Sequence, residues 1–155
     1  MIYSIGYQGL QFPRFKEILV EKDISILVDV RSKPYGRAFQ YNRKALEFMT
    51  KATAPTLLYW YKGDVLGGFN PVKPEALKWL EGLGAPNGKE FGPAFKVPDV
   101  NINYLMLCFE ADPRQCHRHY ILAKHLMSKG INVIHLDKNG DETRAIDLDP
   151  QPTLL

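Results

Sequence analysis

Cys116-His117-Arg118 places a thiol, an imidazole and a guanidinium side by side, which supplies a nucleophile, a proton carrier and an anion-binding cation. Just upstream, Asp112 suits an N-cap and Pro113 a first helical position. Gln115 stands three residues beyond Asp112, as in an Asp-headed capping box. The spacing predicts a helix over 112–129, stopped by Gly130. Cys116 would then lie in the first helical turn, where free backbone N–H groups and the helix dipole favour an anion. The same field lowers a thiol pKa, and His117 or Arg118 would lower it further.

Three roles stay open for Cys116: a small buried hydrophobe, a reactive thiol or a metal ligand. On a helical wheel it shares a face with Tyr120, Ala123 and Met127 and points to the core. Adjacent Cys116 and His117 diverge on such a wheel, which disfavours joint ligation. Neither cysteine has a Cys-x-x-Cys partner, so no metal and no cofactor is predicted. Arg118 is the sharper signal. A cation at a helix N-terminus opposes the dipole unless an anion compensates it. Glu110 and Asp112 are possible compensators, and a bound anionic ligand is the other. Cys108 and Arg114 have the spacing of a phosphatase loop. Glu110, Asp112 and Pro113 repel phosphate or remove donors there, so Cys108 reads as a core strand residue.

A second constellation lies after the second predicted strand. No acidic residue occurs between Val30 and Leu46, whereas Arg31, Lys33, Arg37, Arg43 and Lys44 alternate with Tyr35, Phe39 and Tyr41. Cations hold phosphates and aromatic rings stack on bases. The plainer reading is a solvated loop whose aromatic residues pack on the core. Asp29 and Arg31, two apart in extended chain, share a side. They form an ion pair, or Asp29 meets Cys116 and Glu110 across the strand ends.

The elements that position these residues follow from apolar patterning. Strands are predicted over 2–6, 24–30, 56–61, 102–109 and 131–136. Phe12, Phe15, Ile18 and Leu19 mark a helix after Pro13. A second helix, capped by Asn42, carries Ala45, Leu46 and Met49, and a third runs over 74–81. Residues 62–74 read as a loop. Residues 82–98 read as an irregular excursion with a helical turn at 93–96. Asn139-Gly140 marks a turn, and 147–155 a tail. Alternating strands and helices imply a single three-layer α/β domain over 1–146: a mainly parallel, Rossmann-like sheet with helices on both faces and right-handed crossovers. Ligands then bind beyond the carboxyl ends of the strands. That rule selects 7–9, 31–34, 62–68 and 110–112.

Composition sets outer bounds. The chain of 155 residues is 45% apolar and 24% charged, as expected of one folded domain. A net charge of +3 implies no nucleic-acid partner by itself. Two cysteines build no disulfide framework, so the expected compartment is the reducing cytoplasm. Neither a signal peptide nor a membrane span is expected, and no protein partner is indicated.

The chain resembles the family catalogued as domain of unknown function 488. The resemblance rests on Ser4-Ile5-Gly6-Tyr7, Leu27-Val28-Asp29-Val30-Arg31-Ser32 with Pro34, Asn42 and Leu66-Gly67-Gly68. It continues through Leu107-Cys108-Phe109-Glu110 and from Pro113 to Cys116-His117-Arg118. The family has His where this chain has Tyr7. The resemblance implies a compact α/β fold and a polar site of Asp29, Arg31, Glu110, Cys116, His117 and Arg118, with no established reaction. Asp29-Val30-Arg31 also resembles rhodanese domains, but their small anion-binding loop with a catalytic cysteine is absent here. The expectation is an enzyme acting on a phosphorylated or nucleotide-like anion. Cys116 serves as nucleophile or redox thiol, His117 as acid/base, and Glu110 or Asp29 orients it. Arg31, Arg118, Tyr7 and Asn42 contact substrate. The alternative is a nucleic-acid-binding module without catalysis.

Overall fold

The computed structural model describes residues 1–54, 56–69, 71–84 and 102–148. The predicted helical turn at 93–96 and residues 149–155 of the predicted tail lie outside them.

The continuous apolar runs form the sheet. β1 (Ile2–Gly6), β2 (Ile26–Asp29) and β4 (Tyr104–Cys108) are buried along their whole length, as strands covered on both faces must be. With β3 (Leu58–Tyr61), β5 (Val133–Leu136) and β6 (Glu142–Arg144) they make a six-stranded sheet in the order β3-β2-β4-β1-β5-β6. All neighbouring pairs are parallel except β5 with β6. That pair is the hairpin signalled by Asn139-Gly140, where Gly140 takes a φ of 80°.

Topology decides which face each helix covers. The path β1 to β2 to β3 moves one way across the sheet, and β3 to β4 to β5 moves back. Crossovers of one hand must therefore lie on opposite faces. α1 (Phe12–Glu21) and α2 (Arg43–Thr53) bury Phe15, Ile18 and Leu46 against Ile5, Leu27 and Leu105. On the other face, α4 (Pro74–Glu81) and α5 (Lys124–Ser128) bury Leu80 and Leu126 against Val28, Met106 and Cys108. The result is the expected three-layer, Rossmann-like α/β domain. β2 and β4 are neighbours whose outgoing connections diverge, so the crevice for a ligand opens between their carboxyl ends.

Two local expectations are corrected. The segment after β3 holds a short helix, α3 (Gly63–Leu66), instead of only loop. A turn of helix, α6 (Ala145–Leu148), follows β6. The helix expected over 112–129 is broken. Asp112 caps only a 3-10 turn over Pro113–Gln115, and Cys116 is extended, with φ −130° and ψ 143°. Helix restarts as a π-helix over Arg118–Ala123 that runs into α5. The reason is burial. Cys116 and Arg118 are both buried, yet two residues apart on one α-helix they would diverge by about 200°. Breaking the helix at Cys116 lets both face inward. Gly130, at φ 76°, ends the helix as predicted. Among the described residues no helix is long and apolar enough to cross a membrane.

Gly6 fixes how closely β1 approaches the loop after β4. A Cβ there would stand 1.8 Å from the Glu110 carbonyl oxygen, a backbone atom with no rotamer to escape into. Gly6→Ala is expected to cost about 3 kcal/mol, read as a lowered urea midpoint with an unchanged slope.

Candidate functional site

Three polar atoms converge at the β2/β4 crevice. Cys108 closes β4, and the extended Cys116 turns back onto it, leaving their Sγ atoms 2.8 Å apart. His117 Nδ1 lies 3.7 Å from each sulfur. On the far side of the ring, Nε2 is 3.1 Å from the Val30 carbonyl oxygen. A carbonyl only accepts, so the ring proton belongs on Nε2 and the Nδ1 lone pair faces the sulfurs. Gly68 shelves the ring from the β3 side, since a Cβ there would come within 3.0 Å of Nδ1. The Cys108 thiol also lies 3.4 Å from Glu110 Oε2.

The two thiols are not equivalent. Cys116 is made more acidic by its hydrogen bond with Cys108, against the opposing effect of burial, and by His117 and the charge of Arg118. Cys108 is pushed up by the hydrogen bond with Cys116, by burial and by the negative charges of Cys116 and Glu110. Cys116 is thus the more acidic of the two thiols.

Arg118 does not present its charge to a ligand, contrary to the expectation from the sequence. It is fully buried. Its Nη1 donates to the Glu110 carbonyl at 2.7 Å, its Nη2 to the Ala111 carbonyl at 3.3 Å and its Nε to Ser4 Oγ at 3.0 Å. Main-chain oxygens supply the negative partner that the dipole argument assigned to an anion. Because Ser4 accepts from Arg118, its own O–H is left for His135 Nδ1. His135 Nε2 meets His119 Nδ1 at 2.9 Å. Burial, then the charges of Arg118 and His119, pull the His135 pKa down to about 3, so it stays neutral. This inner chain was not foreseen. Its sequence signals are Ser4 and His135, each a polar residue inside an otherwise apolar strand.

Asp29 and Arg31 resolve as the ion pair. Arg31 Nε and Nη2 donate to the two Asp29 oxygens at 2.8 and 2.7 Å, and Tyr59 Oη donates at 2.5 Å. Burial works against the Arg31 charge, but Asp29 outweighs it and raises the pKa. Both Asp29 oxygens are thus engaged by Arg31 and Tyr59 and not by Cys116 or Glu110. The pair still touches the cluster, because Val30, the residue between them, is the one whose carbonyl holds His117. Arg31 Nη1 is buried and has no hydrogen-bond partner.

Tyr7 stacks on Tyr41 with centroids 4.5 Å apart, and the Arg31 guanidinium carbon lies 5.2 Å from its ring. Asn42 occupies the N-cap position of α2, but its side chain does not cap the helix. Oδ1 accepts from Gly36 N at 2.8 Å, because the turn after Pro34 needs that acceptor. Of the aromatic residues in the basic loop, Tyr41 is buried, while Tyr35 and Phe39 are exposed. A cleft of about 800 Å³ beyond β2 and β3 is lined by Lys33, Tyr35, Lys62, Phe69, Lys73 and Trp79. A groove of about 930 Å³ between α1 and α2 is larger but touches none of the cluster.

Ligand atoms of Cys108, Cys116 and His117 all lie within 4.8 Å of one another. The objection that Cys116 and His117 diverge fails because Cys116 is not helical. Two sulfurs and one imidazole nitrogen are soft donors of the kind zinc and cadmium take, and the Val30 carbonyl is the outer partner that such a histidine uses. The cluster is thus compatible with a metal or other ligand. Cadmium added to the reduced protein is expected to bind with one ion per chain, giving a thiolate charge-transfer band. Cys116→Ser should abolish the band. Comparison of the chain with protein-family models, curated proteins and solved structures finds no match.

Proposed function

We propose that the protein is an enzyme acting on a phosphorylated, nucleotide-like substrate, with Cys116 as thiolate nucleophile and His117 as proton carrier. The orientation of His117 carries this reading: its Nε2 is held by Val30, and the Nδ1 lone pair is aimed at the sulfurs. A base fixed beside a thiol receives its proton and returns it to the departing group. Three features support an anionic substrate. Arg31 keeps a buried, unpartnered guanidinium N–H. The neighbouring cleft carries Lys33, Lys62 and Lys73, in excess over its two carboxylates, Asp64 and Glu75. Tyr35 stands exposed at its edge, available to a base, beside Phe69, over whose ring the Lys33 ammonium lies. Membership of the domain of unknown function 488 family belongs to the same proposal, as does a reducing cytoplasmic setting that keeps both thiols free.

The second reading is a nucleic-acid-binding module without catalysis. The exposure of Tyr35, Phe39 and Phe69 along the loops after β2 and β3 favours it.

Thiolate absorbance near 240 nm tests the nucleophile. An ordinary thiol ionises only near pH 8.5, so a lowered Cys116 pKa predicts one thiolate already present at about pH 6. Cys116→Ser should remove it. If absorbance rises only above about pH 8 and the variant behaves alike, there is no activated thiol. For the substrate, a nucleoside diphosphate should bind at low salt, and Lys33→Glu with Lys62→Glu should weaken binding at least about tenfold. Tight binding of an oligonucleotide of about ten residues by a protein without an activated thiol would support the second reading instead.

A further inference from the structure

We propose that Cys108 and Cys116 form a redox-active pair that a peroxide closes to an intramolecular disulfide. This rests on the reading of Cys116 as the attacking thiol, and it gives Cys108, whose sulfur lies 2.8 Å away, the role of resolving thiol. Both cysteines are free. Their sulfurs stand 2.8 Å apart, against about 2.05 Å in a disulfide, so bond formation asks for about 0.8 Å of movement. Neither residue is on a wandering loop. Cys108 ends the strand held between β1 and β2. Arg118, two residues after Cys116, is bonded to the same connection that leaves Cys108. The backbone thus delivers the two sulfurs to each other.

The chemistry balances with one peroxide. The Cys116 thiolate attacks the O–O bond, an S–O bond forms, and hydroxide or alkoxide departs and takes a proton from solvent. Cys116 is then a sulfenic acid. Cys108 gives its proton to His117 Nδ1, which lies 3.7 Å from either sulfur. The Cys108 sulfur attacks Cys116, the S–O bond breaks, and the departing hydroxide recovers that proton as water. Two thiols and one peroxide give one disulfide, one water, and a second water or an alcohol. A peroxide suits the site better than a bulky disulfide. Cys108 and Cys116 are only 5% and 2% exposed, so the smallest oxidant has the readiest access to them. Closure also removes the nucleophile, so oxidation switches the proposed activity off until a dithiol reduces the bond.

The test uses the whole chain. Reduced protein is treated with hydrogen peroxide, denatured, alkylated and weighed. The expected product has lost two hydrogen atoms, resists alkylation at both cysteines and recovers with dithiothreitol. Cys108→Ser should instead carry added oxygen on Cys116, and Cys116→Ser should leave Cys108 alkylatable, with oxidation at least about tenfold slower. Wild-type protein that gains oxygen without forming the disulfide overturns the proposal, as does a disulfide that forms only after denaturation. An equally fast oxidation of Cys116→Ser does the same. A low-pH thiolate signal without disulfide formation would remove this inference alone. Disulfide formation without nucleotide binding would remove the substrate assignment alone.

Discussion

The site depends on one buried guanidinium. Arg118 is excluded from water and, among the described residues, no carboxylate pairs with it; its partners are two carbonyl oxygens and a serine hydroxyl. Such a charge is tolerated only where acceptors surround it. Those acceptors come from β1 and from the connection leaving β4, so the guanidinium joins the strand that opens the chain to the loop that carries the cluster. Gly6 makes the approach possible, because any side chain there would collide with the carbonyl that Arg118 grips. The broken helix follows from the same demand. Arg118 must point inward, Cys116 must reach Cys108, and a continuous α-helix cannot satisfy both.

The sheet was largely legible in the sequence because its signal is local. β1, β2 and β4 are unbroken apolar runs, and their continuity already implied helices on both faces. Asp112, Gly130 and Gly140 took the conformations their types favour. The 112–129 helix was misread for the opposite reason. Capping residues and apolar spacing describe a chain in isolation, whereas the break at Cys116 is imposed by contacts with β4 and β1. α3 escaped notice because four residues are too few to show a period. Strand ends were drawn too long wherever an apolar residue packs without joining the ladder, as Ile24 and Ile102 do.

The candidate site was legible in its residue types and not in its pairings. Cys116, His117 and Glu110 are identified in the sequence, and each lies against Cys108. Cys108 was set aside as a core strand residue, which is half right: it is buried in the sheet core and also forms the inner wall of the cluster. A single strand position cannot reveal what stands beyond the strand end. Arg118 was recognised as electrostatically anomalous, and that inference held. The compensating charge was assigned to a ligand because backbone carbonyls carry no sequence signature. Arg31 shows the converse. Its ion pair with Asp29 was one of two stated options, and the unpartnered Nη1 is visible only in three dimensions.

The same anomaly also bears on which sulfur is the more acidic. Carbonyl dipoles soften a buried positive charge without cancelling it, and a nearby group that can become negative gains by doing so. Cys116 is influenced by the charge of Arg118 and accepts a hydrogen bond from its backbone. Cys108 sits instead beside Glu110, where a second negative charge is opposed. The asymmetry of the dithiol is set first by the hydrogen bond between the two sulfurs, and the cation beside one and the carboxylate beside the other act in the same direction. Nucleophilic attack, disulfide closure and capture of a soft metal all draw on the Cys116 lone pairs. They are mutually exclusive uses of one centre, and whichever partner reaches it first determines its state.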